Sequence, residues 1–207
     1  SQCRGKIVLM DGYLGYWKYQ DLLDNGAVGF ITYSGDIHQP SNDIDQRELR
    51  AMVCEGKAKL PGVNINVKDA VSLVHRDAKT AHIVLRQQEY KGKSHNVVAE
   101  LPGREDKWIV LSAHYDSTSL SQGAYDNMSG SVGLLGIAQA LKGQKLRCGL
   151  RLVFCGSEER GLLGSKAYCA QHQQELDKIE LNVNLDMIGC ATGRFIACCS
   201  TEEKLCS

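Results

Sequence analysis

The chain has 207 residues, 43% of them hydrophobic, and a formal net charge of zero from 24 Lys+Arg against 24 Asp+Glu. A core of useful size is within reach at this length. The charge balance, without any basic stripe, argues against nucleic acid or an anionic membrane as partner. The longest weakly polar run, Ser131 to Leu141, is too short and too rich in glycine to span a bilayer.

Ser1 to Gly12 lacks the charged and apolar regions of a signal peptide. Because Ser1 replaces an initiating Met, the chain is expected to be a processed product or a piece of something longer, and its localisation is not legible from this end. The nine cysteines include no Cys-x-x-Cys pair, against a zinc ribbon or a thioredoxin-like motif. Mostly reduced structural thiols are expected, with Cys155 and Cys169 buried. A Cys3–Cys54 bridge is the alternative in an oxidising compartment.

Residues 1 to about 80 open with a strand, Lys6 to Met10, then a helix from about Tyr16 to Asp24 stopped by Asn25-Gly26. Ala27 to Tyr33 reads as a second strand, residues 37–50 as a polar excursion loop, and Pro61 to Val67 as a third strand. A short helix follows over Lys68 to Arg76, with Asp69 suited to its first turn. No catalytic side chains cluster here, as befits a packing and binding module.

From Thr80 the rhythm changes. Strands are expected at His82 to Gln87, Asn96 to Glu100, Trp108 to Ala113, Leu150 to Cys155 and Leu181 to Leu185. Helices are expected at Ser129 to Lys142 and Leu162 to Leu176. Apolar strands alternating with helices predict an α/β fold: a mixed, mostly parallel sheet with helices on both faces. Residues 81–207 would form it, beside a small α/β or β-rich domain over 1–80. Pro102-Gly103 is expected to turn one early strand into the next. Gly130, Gly133 and Gly136 each cost a helix about 1 kcal/mol relative to Ala, which is reasonable if that helix packs very close to the sheet.

Four clusters lie at the carboxyl ends of these strands, where open α/β sheets bind ligands. His114 ends one strand, and Asp116 is placed to hold the second ring nitrogen of a metal-bound imidazole; a hydrogen-bonded structural histidine would look the same. Asp126, before the glycine-rich helix, is either a helix cap, a role Asn127 could equally take, or a metal-bridging carboxylate. Its neighbour Asn127 opens a glycosylation sequon that burial in a site would silence. Glu158-Glu159 would repel unless metal or protons compensate them. One would bind metal and the other act as base, or both begin a helix as solvated acids. Asp186, straight after an apolar strand, is costly unless paired or coordinated. One histidine, several carboxylates and no obvious nucleophile together point to a metal site.

His114-Tyr115-Asp116-Ser117, the Gly123 to Gly130 stretch, Ser157-Glu158-Glu159-Arg160-Gly161 and Asn184-Leu185-Asp186-Met187 resemble the di-zinc aminopeptidases of the M28 family, over about residues 82 to 190. The first half resembles a protease-associated domain through Gly5-Lys6-Ile7-Val8-Leu9, Asn25-Gly26-Ala27 and Pro61-Gly62-Val63. The resemblance implies a Zn2+ cofactor, with Asp126 bridging two ions, His114 and Asp186 completing one site and Glu159 binding the other. Glu158 would be the general base and Asp116 the orienter of His114. Peptide or protein N-termini would be the substrates, and a secreted or extracytoplasmic location is implied.

The family's second zinc takes a further histidine beyond the Asp186 motif, yet none of the 21 residues after Asp186 is His. The other histidines, His38, His75, His82, His95 and His172, are expected to be solvated. The chain is therefore expected to be truncated at both ends, to hold one zinc or none firmly where the complete enzyme holds two, and to be weakly active or inactive alone. A single-zinc glutaminyl cyclase and a non-catalytic peptidase-like binding protein are the rival readings. Amino- versus carboxypeptidase preference and oligomeric state stay open.

Overall fold

The computed structural model describes residues 2–12, 14–35, 38, 53, 59–86, 88, 91–118 and 121–190. The expected excursion loop, His38 apart, and Cys54 lie outside the described residues. Contacts divide the chain into two compact units, Ser1–Lys91 and Gly92–Ser207.

The first unit is a small α/β module. Strands β1 (Ile7–Asp11), β2 (Gly29–Ser34) and β3 (Gly62–Asn66) form a parallel sheet in that order. Helix α1 (Tyr16–Asp24) connects β1 to β2, and helix α2 (Val67–His75) follows β3 directly. Its core gathers Leu14, Tyr19, Leu22, Phe30 and Val53. Tyr19 is fully buried, and its hydroxyl is satisfied by the Leu60 amide, which donates to it at 3.0 Å. The Asn66 side chain caps α2 by accepting from the Lys68 amide, and Asp69 lies in the first turn as expected.

The second unit contains β4 (Val97–Leu101), β5 (Glu105–His114), α3 (Met128–Ala140), β6 (Cys148–Cys155), α4 (Leu163–Gln171), a 3-10 helix (Gln173–Lys178) and β7 (Ile179–Asn184). Strand order is β4-β6-β5-β7, with β5 parallel to both neighbours and β4 antiparallel to β6. Alternate residues of one strand face opposite ways. Leu111, Ala113, Leu150 and Leu152 accordingly pack with Leu134 of α3, while Val110, Val153 and Cys155 pack with Tyr168 of α4. The expected mixed, mostly parallel sheet with helices on both faces is thus formed. On the α4 face the buried Arg151 donates to Glu100 (2.6 Å), the Tyr168 hydroxyl (3.0 Å) and Glu175 (2.9 Å), and stacks 4.6 Å above the Trp108 ring.

Several expectations are corrected. Residues 81–86 carry no regular element where a strand was expected; His82, Val84, Leu85 and Arg86 are exposed, and no described strand pairs with them. Pro102-Gly103 does link β4 to β5 as expected, but the two strands are not neighbours, because β6 inserts between them. A Cβ on Gly103 would stand 2.3 Å from the Cys148–Gly149 backbone, so the chain crosses the start of β6 where only glycine fits. The helix expected to reach Leu176 ends at Gln171 and tightens into the 3-10 turn. Gly130 and Gly133 are approached by Leu185 and Ile188, beyond the end of β7, rather than by the sheet, and Gly136 meets nothing within 4 Å. Cys155 is buried but Cys169 is exposed. His75, His82 and His95 are exposed as expected, whereas His172 is partly buried and stacked on Tyr168 with ring centroids 4.4 Å apart.

Candidate metal centre

Parallel register brings the carboxyl ends of β5, β6 and β7 to one edge, with His114 opposite Cys155 and Ser112 opposite Asn184. His114 closes β5 and is 3% exposed, and its carbonyl accepts from the Ser131 hydroxyl at 2.9 Å. Its Nδ1 lies 3.0 Å from the Asp116 backbone carbonyl. A carbonyl only accepts, so Nδ1 carries the proton and the Nε2 lone pair is left for a ligand. That Nε2 faces Asp126 at 3.1 Å, Asp186 at 3.7 Å and Glu158 at 3.9 Å. One ligand atom each from His114, Asp126 and Asp186 lie within 4.8 Å of one another.

Asp116 sits elsewhere than the sequence implied. Its carboxylate is 3.6 Å from Nδ1, and the closer partner of the ring is its backbone carbonyl. The two carboxylate oxygens instead accept from the backbone amides of Glu158 (2.9 Å) and Glu159 (3.2 Å). Asp116 thus anchors the loop after β6, while the main chain at the same residue orients the imidazole. Ser157 at φ 56° and Met187 at φ 53° flank Glu158 and Asp186 in the left-handed region, which costs a non-glycine residue about 1–2 kcal/mol.

Glu158 borders the group through its distance to His114. Glu159 is not among the three residues whose ligand atoms converge. Burial raises the Glu158 carboxyl above its ordinary value, opposed by His114 and assisted by Asp186, Asp116 and Asp126. Glu159 is raised too, by burial first and then by Asp126 and Glu158. Burial would lower His114, yet Glu158, the Asp116 carbonyl and Asp186 outweigh it and hold the imidazole above its usual value. This is an edge crowded with negative charge, and such crowding favours a bound cation.

Asn127, read from the sequence only as a possible cap and a silent sequon, and Asn96, which that reading missed, both brace the site. Asn127, 1% exposed, accepts from the Gly130 amide at the start of α3 and also reaches the Asp186 segment. Asn96 accepts from the Gly156 amide at 3.1 Å and donates to the Gly164 carbonyl at 2.8 Å, bracketing the Glu158-Glu159 loop. An asparagine directly after a candidate ligand was the available signal for the first. The burial of Asn127 is in keeping with the expectation that its sequon is silent.

Residues 96–204, just over half of the chain, match the model of peptidase family M28. The chain belongs to that family. Its M28 relatives include leucine aminopeptidase 2 of Trichophyton rubrum, 43% identical over 193 residues, which are 91% of this chain and 38% of the relative. Aminopeptidase YwaD of Bacillus subtilis is 30% identical over 196 residues, covering 91% of this chain and 41% of the relative. The structure of BSAP, a zinc aminopeptidase from Bacillus subtilis, superposes with a TM-score of 0.67 at 28% identity, over 91% of this chain and 45% of that one. The M28 chain described here therefore spans less than half the length of these relatives.

Proposed function

We propose that this chain contributes the metal-binding and proton-handling groups of a zinc-dependent aminopeptidase acting on the N-termini of peptides or proteins. The observation that carries this reading is the His114 imidazole. Its protonated Nδ1 is held by a carbonyl, and its Nε2 is aimed among three carboxylates at 3.1 to 3.9 Å. Relatives named as aminopeptidases support it.

The donor set fits zinc. One neutral imidazole nitrogen and two carboxylate oxygens match its preferred ligands, and three protein ligands leave a coordination position open, as catalytic sites require. His114, Asp126 and Asp186 would hold one ion, and Asp126 with Glu159 would serve a second. Zinc when bound would supply a Lewis acid for the scissile carbonyl and make the attacking water more acidic. Glu158 takes the proton from that water and delivers it to the departing amine. Asp116 holds Glu158 in place through the backbone amide, and its carbonyl keeps His114 in the ligating tautomer. The first unit we read as a protease-associated domain on the motifs quoted above, and with it a location outside the cytoplasm.

The test is zinc content by mass spectrometry together with hydrolysis of leucine p-nitroanilide, with and without chelator. Glu158→Gln is expected to keep zinc and lose about 10²- to 10⁴-fold in kcat relative to the unsubstituted chain. Cyclisation of N-terminal glutamine in place of amino-acid release would favour the cyclase reading, and failure to bind zinc would favour a non-catalytic scaffold.

A further inference from the structure

Asn127 makes more bonds than a helix cap requires. Its Oδ1 accepts from the Gly130 amide at 3.0 Å, which alone would cap α3. The same oxygen accepts from the Met187 amide at 3.2 Å, and Nδ2 donates to the Leu185 carbonyl at 2.9 Å. Leu185 and Met187 flank Asp186, and Asn127 itself follows Asp126. One buried carboxamide therefore ties the peptide groups on either side of one candidate ligand to the residue beside another. Gly130 shows independently how close this seat is: a Cβ there would stand 2.3 Å from the Leu185 carbonyl oxygen.

We propose that Asn127 is a positioning residue that fixes the placement of Asp186 relative to Asp126 and so sets how tightly the chain holds a divalent cation. The proposal rests on His114, Asp126 and Asp186 being the ligands. Two nearby carboxylates repel when no ion lies between them, so a tether must hold them together without adding charge. A carboxamide suits this task because it donates and accepts at once. Aspartate would still cap the helix, but it would have no donor for the Leu185 carbonyl and would add a further negative charge. Serine would cap the helix and be too short for the second segment.

The experiment uses the full 207-residue chain, with zinc affinity read by competition against a chromophoric chelator and stability read as the melting temperature in EDTA. Asn127→Ser is expected to weaken zinc binding about 10- to 100-fold, the usual range for groups that orient metal ligands, while the metal-free melting temperature stays within a few degrees. A merely structural cap would leave both unchanged, because serine caps a helix about as well as asparagine. Zinc affinity within twofold of the original in folded Asn127→Ser overturns the proposal. If that variant does not fold, Gly130→Ala gives the same reading, because alanine favours the helix but its Cβ displaces the Leu185 carbonyl. Unchanged zinc affinity in Gly130→Ala is then the overturning result. Failure of the unsubstituted chain to bind zinc would remove the site reading and this proposal together, whereas normal zinc binding in both variants removes this proposal alone.

Discussion

Replacing Asp116 by asparagine separates two roles that the sequence merges. The carboxylate accepts from the Glu158 amide at 2.9 Å and the Glu159 amide at 3.2 Å, whereas the ring of His114 is held by the Asp116 backbone carbonyl at 3.0 Å. Asparagine offers one neutral oxygen and turns an NH2 group toward a backbone N–H. Two hydrogen bonds to a charged acceptor, each about 1.5–3 kcal/mol, become one neutral bond of about 1 kcal/mol beside an unsatisfied donor. The loop after β6 should therefore lose about 3 kcal/mol of local stability, equivalent to roughly 100-fold faster opening. Amide hydrogen exchange at Glu158 and Glu159 measures this directly. The imidazole should be spared, so the His114 ring nitrogens should keep their Nδ1-protonated NMR signature. Exchange within twofold of the parent chain would refute the assigned role of the carboxylate. A switch of the His114 tautomer would show that the side chain, not the carbonyl, orients the ring.

Three further outcomes are expected. Leu134→Ala removes a fully buried side chain from the face of α3 that packs on β5 and β6; a loss of about 2–5 kcal/mol should appear in urea unfolding followed by Trp108 fluorescence in a Trp17→Phe background. Gly103→Ala should destabilise the same unit by at least about 1–3 kcal/mol in that assay, because the new Cβ meets backbone at 2.3 Å; an unchanged midpoint would sink the crossing argument. Glu175 titrates below its ordinary value because Arg151 donates to it, so its stabilisation is present above the unfolded carboxylate range and fades as pH falls through the lowered value. Melting curves of the parent and Glu175→Gln should accordingly differ at pH 7 and converge in strong acid; a gap that widens toward low pH would contradict the sign.

The placement of His114 and Glu158 was legible because apolar runs announce buried parallel strands with a shared carboxyl edge, whereas β7, which leads to Asp186, alternates apolar with polar residues and is mostly exposed. What the runs do not encode is their lateral order. Nothing in Val97 to Leu101 says that it pairs with Arg151's strand rather than with the strand that follows it, so β6 entering between β4 and β5 was invisible. The destination of the Asp116 carboxylate was hidden for a related reason. It depends on two amides 42 and 43 residues away, delivered by a turn with Ser157 at positive φ. Asn127 looked like a cap because its third and fourth neighbours on the helix are local, whereas Leu185 lies 58 residues off. The apolar run Ile83-Val84-Leu85 reads as a strand, but a strand exists only where its backbone groups find a ladder.

The order β4-β6-β5-β7 also governs when the three groups of the candidate site can first come together during synthesis. Chains emerge amino end first, and β5 is flanked by two strands that are translated after it. His114 and Asp126 leave the ribosome well before Asp186, which takes its place only once β7 has zipped along β5 in the register of Ser112 with Asn184. Until then the nascent chain presents an imidazole and scattered acids rather than a chelate. Docking of β7 is the latch that would turn them into one, so a cation held by all three groups would favour the docked strand over the undocked one.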